Sequence, residues 1–197
     1  MKTQTTIIKL SSLMMAAFLF ASSALGGNEK LVEHAREQIG VTIRYDPEYK
    51  VIPYPNGDIS PQLGVCTDVV IRAMRKLGLD LQKAVHEDMK ANFSKYPSMW
   101  GLRKTDRNID HRRVPNLQTY FKRKGWSQKI STAKEDYLPG DLVTWMLAGN
   151  LPHIGIVSDK KSEEGIPLII HNIGMGTQEE EGLFLFPITG HYRPLFK

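Results

Sequence analysis

Cysteine is nearly absent from this chain: Cys66 is the only one in 197 residues. A single thiol cannot close an internal disulfide, so a disulfide-stapled scaffold is excluded. Long hydrophobic runs are scarce as well. The one marked apolar run, residues 13–21, is too short to span a bilayer, and none follows it, which argues against an integral membrane segment. Charge of one sign is limited. The formal net charge of +5 falls to +3 when Lys2 and Lys9 are set aside, an excess too small and dispersed for a nucleic-acid binder. It still suits an anionic polymer such as cell wall. No internal repeat or low-complexity tract is present.

The content that remains is ordinary for a folded domain. With 41% hydrophobic residues the chain can fill one core, and its length fits one domain. Lys2, Lys9, the apolar run and the small residues after it read as a cleaved export signal over 1–26. A mature domain at 27–197 follows, periplasmic or secreted, with no cysteine at the cleavage site for a lipid anchor.

An exported protein that keeps one thiol needs a use for it. Cys66 opens a helix pattern in which Val70, Ala73, Met74 and Leu77 share one face, Arg72, Arg75 and Lys76 gather at the end, and Gly78 stops the turn. At a helix start the free N–H groups and the dipole favour a thiolate, the attacking form of cysteine. A thiolate of this kind is expected to alkylate readily below pH 7. The plainer alternative is a buried cysteine acting as a small hydrophobe.

Around this helix the pattern predicts a packing helix over 28–39, with Leu31, Val32, Ala35 and Ile39 on one stripe. A proline-rich loop over 45–63 follows, whose Tyr45, Tyr49 and Tyr54 either line a groove beside Cys66 or cover the core. Asp80 caps a second helix with Leu81, Val85, Met89 and Phe93 in register. A basic, turn-rich piece over 100–115 comes next, and Asn116 is expected to cap a third helix over 117–124. From Leu142 the chain turns strand-like, at 142–146, 153–158, 167–171, 183–186 and 191–193, with turns too short for crossover helices. Helices first and an antiparallel sheet after predict an α+β domain.

In that sheet His153 opens one strand and His171 closes the next, so a hairpin makes them neighbours. A thiol nucleophile needs a base, and the base needs a third group to hold its ring. Cys66, His153 and His171 fit these roles in that order, and Asn172 is an alternative for the third. The same three side chains are also chemically suited to zinc, but no short-spaced pair anchors a metal site, and neither metal nor cofactor is expected.

The motifs Gly64-Val65-Cys66-Thr67-Asp68-Val69-Val70, Pro139-Gly140-Asp141-Leu142-Val143, His153-Ile154-Gly155-Ile156-Val157 and Ile169-Ile170-His171-Asn172 resemble papain-like cell-wall cysteine peptidases of the NlpC type, and more closely the YijF-like DUF1287 family. The resemblance implies a papain-like fold, with Cys66 as nucleophile, His153 as base, His171 as orienting residue and peptidoglycan stem peptides as substrate. The chain departs from the broader group at Val65, where an aspartate stands, and at Thr67-Asp68, where the group has Ser-Gly. Its insert at about 79–134 is also long.

The expected activity is therefore an amide hydrolase of the cell wall, endopeptidase or amidase, acting as a monomer through an acyl-enzyme. A non-catalytic wall-binding protein and a metal-dependent hydrolase on the same residues are the alternatives. Tyr54, Arg112 and Arg113 are the expected substrate contacts, because arginine forks pair with the free carboxylates of stem peptides. Otherwise the basic piece, Arg107 included, is a solvated loop paired with Asp106 and Asp110.

Overall fold

A computed structural model describes residues 28–196. The expected export signal at 1–26 lies outside the described residues. Residues 28–36 form helix α1, which buries Leu31, Val32 and Ala35. The helix is shorter than the sequence pattern predicts. Gln38 and Ile39 donate to carbonyls three residues back, the tightened spacing of a helix end, and Ile39 stays exposed.

The chain then lays down a two-residue strand, β1 (Arg44–Tyr45), parallel to β2 (Leu63–Gly64), with Tyr45 opposite Gly64. This pairing brings the proline-rich loop back against helix α2 (Cys66–Lys76), which Gly64 and Val65 lead into. Gly78 ends α2 in a left-handed conformation at φ 84, as its position predicts. Helix α3 (Leu81–Ala91) begins where Asp80 accepts from the N–H of Gln82.

The third helix differs from expectation. Helix α4 spans Val114–Arg123, so Asn116 lies inside it and Arg113 stands at its N-cap. Pro115 explains the shift: in a first turn a proline lacks only an N–H that would be unpaired anyway, so it starts the helix rather than delaying it.

The sheet is five-stranded and antiparallel. It comprises β3 (Leu142–Leu147), β4 (Leu151–Lys161), β5 (Pro167–His171), β6 (Gln178–Glu180) and β7 (Ile188–Tyr192), in the spatial order β6-β5-β4-β3-β7. Residues 183–186, expected as a strand, form a turn instead. Leu183 from that turn is buried against Tyr137, Val143, Trp145, Val157 and Ile169 on one face of the sheet, and its carbonyl accepts from Trp145 Nε1. An apolar run read as a strand is thus a cap on the sheet.

The other face carries the main core, where Val69, Val70, Ala73 and Met74 of α2 meet Ile154, Ile156 and Ile170. Each of the larger of these side chains, Val, Ile or Met, contributes about 1.5–3 kcal/mol when removed from water. The molecule is therefore α+β, with the cysteine helix packed on the antiparallel sheet as the order of elements predicts. Among the described residues no helix is long and apolar enough to cross a membrane.

Candidate active site

Cys66 is the first residue of α2, and its side chain is buried against the middle of the sheet. Asp68 fixes the start of the helix by accepting from the N–H of Val65 at 2.7 Å. The sulfur is held against β4. The backbone N–H of Ile154 faces it, together with the N–H groups of Thr67 and of Cys66 itself. On its other side Cys66 shares the lining of a pocket with Pro152. His153 pairs with Trp145 and lies with Gly155, Ile169 and His171 on the opposite face of the sheet from Cys66, Ile154, Ile156 and Ile170, so the fold does not bring the thiol and the two imidazoles together. Among the described residues no hydrogen bond joins Sγ to either imidazole.

Burial corrects the expectation of a thiolate. It pushes the Cys66 thiol up to about 12, with the charge of Asp68 acting in the same direction and the three N–H groups against it. Desolvation disfavours the charged form more strongly than the helix start favours it. The resting thiol is neutral.

The two histidines meet. His153 Nε2 and His171 Nδ1 share a hydrogen bond of 2.8 Å, and His171 Nε2 bonds Glu180 Oε1 at 2.9 Å. Burial lowers the basicity of both rings, that of His153 to about 3, helped by the neighbouring His171; Glu180 partly offsets the effect at His171. Hydrogen-bond logic then orders the protons. Glu180 accepts from Nε2 of His171, His171 accepts at Nδ1 from Nε2 of His153, and Nδ1 of His153 is left as the unprotonated nitrogen able to take a proton.

Glu180 is the member that sequence reasoning missed. It lies in the acidic run 179–181, and only the pairing of β5 with β6, His171 opposite Gln178, carries it to the ring. Asn172, the alternative third residue, does something else: its Nδ2 donates to the carbonyl of Gly64, tying β5 to the segment before Cys66. Gly155 has a steric role beside the pair. A Cβ there would lie 2.5 Å from Ile169 Cγ2 and 3.2 Å from His171 Cβ, so a side chain would have to push Ile169 aside and crowd His171.

The pocket at Cys66 has a volume of about 180 Å³ and is walled by Tyr45 and Pro47, by Trp100 and Ile109, and by the run Arg112 to Pro115. The insert thus supplies one wall. Its two expected arginines part company. Arg112 is not available to a substrate: Nε and Nη2 bind both oxygens of Asp68 at 3.0 and 2.9 Å, and Nη1 and Nη2 donate to the carbonyls of Glu48 and Asp46. Its fork clamps the helix start to the pocket wall. Arg113 lies over the Trp100 ring, 4.6 Å from its centroid, with Nη1 buried and without a hydrogen-bond partner among the described residues.

Tyr54 is placed elsewhere. It packs edge-on against His86 of α3 with Arg107 over its ring, and it does not line the pocket. Tyr49 is engaged with Asp106 and Asn108, which leaves Tyr45 as the tyrosine of this wall. The tyrosines cannot be separated by sequence, since all three stand in the same proline-rich loop. Among the described residues no group of three or more His, Cys, Asp or Glu side chains is placed to hold a metal ion.

Comparison with known proteins gives the chain its relatives. Residues 32–194 match the family described as a domain of unknown function, DUF1287. The chain is 52% identical over 170 residues to the uncharacterised protein YijF of Escherichia coli (strain K12), a match covering 86% of this chain and 83% of the relative. Solved structures of NlpC1 and NlpC2 from Trichomonas vaginalis align with 84% and 87% of this chain at 12% and 13% identity, with TM-scores of 0.44 and 0.45. They cover only 43% and 47% of those chains, so the present chain spans less than half the length of either.

Proposed function

This chain belongs to the DUF1287 family, and from the relay that runs from Glu180 through His171 to His153 behind a helix-start cysteine we propose that it is an exported cysteine hydrolase. It cleaves an amide bond in peptidoglycan or in peptides released from it. The observation that carries the reading is the pair of hydrogen bonds, 2.8 and 2.9 Å, that fixes both imidazoles and leaves Nδ1 of His153 free to accept.

In the proposed reaction Sγ attacks the amide carbonyl while its proton passes to Nδ1 of His153. A neutral thiol and a neutral imidazole make this transfer part of the attack rather than an equilibrium before it. Because His153 stands beside Trp145 on the opposite face of the sheet from Cys66, the transfer requires the first residues of β4 to turn His153 toward the thiol. The oxyanion forms at the N-terminus of α2, where the N–H groups of Cys66 and Thr67 face the sulfur. The C–N bond breaks and the amine leaves with the proton from His153. His153 then deprotonates water, which hydrolyses the thioester, freeing the acid and restoring the thiol.

Two observations favour the silent alternative, a wall-binding protein with no turnover: the depth at which Cys66 is buried, and the placement of His153 and His171 on the opposite face of the sheet from it. Incubating the purified protein with cell wall and analysing the soluble fraction by mass spectrometry separates the two. Wild type is expected to release fragments with a new amine end, Cys66→Ala and His153→Ala none, and His171→Ala a slower but measurable amount. Loss of the small cysteine side chain is expected to cost no more than about 1–2 kcal/mol of stability. Release by Cys66→Ala at the wild-type rate removes the cysteine mechanism. Wall binding by wild type with no release leaves the silent reading.

A further inference from the structure

We propose that the pocket beside Cys66 is a carboxylate subsite in which Arg113, lying on Trp100, holds a free carboxylate of a short peptide next to the amide that is cleaved. This rests on the hydrolase reading and names its substrate class. Four observations converge on it.

The first is an unspent donor. Arg113 Nη1 is buried and has no hydrogen-bond partner among the described residues, and a buried N–H left unpaired is costly unless a ligand meets it. The second is charge. Of the two arginines in the lining, Arg112 is neutralised by both oxygens of Asp68, whereas Arg113 is not, and among the described residues no acidic one lines the pocket. A net positive charge is thus left within its walls.

The third is the arrangement of helices. Arg113, Val114 and Pro115 are the N-cap and first residues of α4, while Val65 and Cys66 hold the same positions in α2, so two helix N-termini open on one pocket. The positive ends of both dipoles add to the field of Arg113. The fourth is shape. The guanidinium carbon lies 4.6 Å from the Trp100 ring centroid, so the ring covers one side of the cation and holds it at the pocket wall. The remaining walls, Tyr45, Pro47, Ile109, Val114 and Pro152, are mostly apolar and suit the body of a small residue.

Size then limits the substrate. Ligand sites for larger molecules run to roughly 300–1,000 Å³, against about 180 Å³ here. A carboxylate on Arg113 and a carbonyl at Sγ within this space belong to the same residue or to adjacent ones. The proposed substrate is accordingly a peptide cut beside a residue that bears a free carboxylate, and amidation of that carboxylate is the change that blocks binding.

The test is a binding measurement that does not need turnover. Isothermal titration of wild type, Cys66→Ala, Arg113→Gln and Arg113→Lys is carried out with N-acetyl-dialanine in its L,L and D,D forms, each as free acid and as carboxamide. Wild type and Cys66→Ala are expected to bind one free acid at least about tenfold more tightly than its carboxamide, as loss of a charged hydrogen bond predicts. Arg113→Gln is expected to abolish that preference, and Arg113→Lys to keep part of it. Equal binding of acid and carboxamide by wild type, or binding of neither, overturns the subsite. So does a preference that survives Arg113→Gln. If the acid preference follows Arg113 but the wall digest shows no cleavage, the subsite stands and the hydrolase reading falls.

Discussion

Cys66 shows how two local effects on one atom are decided by magnitude. Its position at a helix start favours the anion by a fraction of a charge at the end of the dipole, an effect worth about 0.3–1 kcal/mol at an exposed site. Burial in the core opposes it and wins, leaving the thiol pushed up to about 12 from 9.0. Alkylation by a small neutral reagent is therefore expected to be slower at pH 7 than in the unfolded chain, and to climb about tenfold per pH unit through pH 8 to 11 as the thiolate fraction grows. A rate that is already high and flat from pH 6 to 8 is the signature of a preformed thiolate and contradicts the neutral resting state. The same burial means that sluggish alkylation does not by itself mark a dead enzyme, so the wall digest, not thiol labelling, discriminates the two readings.

At the level of elements, the nucleophile's helix is fixed by a contact from far along the chain. Arg112, in the 3-10 turn Asp110–Arg112, binds Asp68 in the first turn of α2, and both are buried. Its other donors reach the carbonyls of Glu48 and Asp46, and Thr67 donates to the Arg112 carbonyl at 3.1 Å. Three walls of the pocket thus meet on one guanidinium. Breaking such a pair from one side leaves the other charge buried and uncompensated, so Arg112→Ala and Asp68→Ala are each expected to cost about 3–5 kcal/mol. Replacing both, with Met and Leu, is expected to cost clearly less than the sum. Urea unfolding of the singles and the double measures this, and simple additivity shows that the two do not act as a pair.

For the molecule as a whole, buried titratable groups set the response to acid. Burial holds His111 and His153 neutral, each down to about 3 from 6.5, and the ion pairs with Arg36 and Lys160 outweigh burial to hold Glu179 near 2. A histidine whose folded pKa is depressed binds fewer protons in the native state than in the unfolded chain, so its stabilising effect is complete above pH 6.5 and is lost as pH falls toward 3. Glu179 adds a loss in the same direction between 4.5 and 2. Asp110, raised by burial, acts the other way. His171, lowered by burial as well, acts with His111 and His153, and together with the lowered carboxylates they outweigh Asp110. This predicts a urea midpoint that falls steadily from pH 7 to pH 4, with His111→Gln flattening part of the slope. A midpoint constant over that range contradicts this account.

What the sequence by itself determined here is whatever depends on neighbours within a turn or two. The helical face at Val70, Ala73 and Met74, the stop at Gly78, the Asp80 cap, the strands at Leu142, His153 and Pro167, and the hairpin that makes His153 and His171 neighbours all follow from periodicity and turn chemistry. The tertiary structure alone decided the rest. Glu180 joins the relay through the register of β6, Arg112 is consumed by a carboxylate 44 positions away, and Tyr54 departs to α3 while Tyr45 stays. The run 183–186 shows the same limit, being apolar enough for a strand yet folded over the sheet as a turn. Charge state belongs with these. Whether Cys66 is a thiolate or a thiol depends on how much water its surroundings exclude, and that is a property of the packed core, not of the residues beside it in the chain.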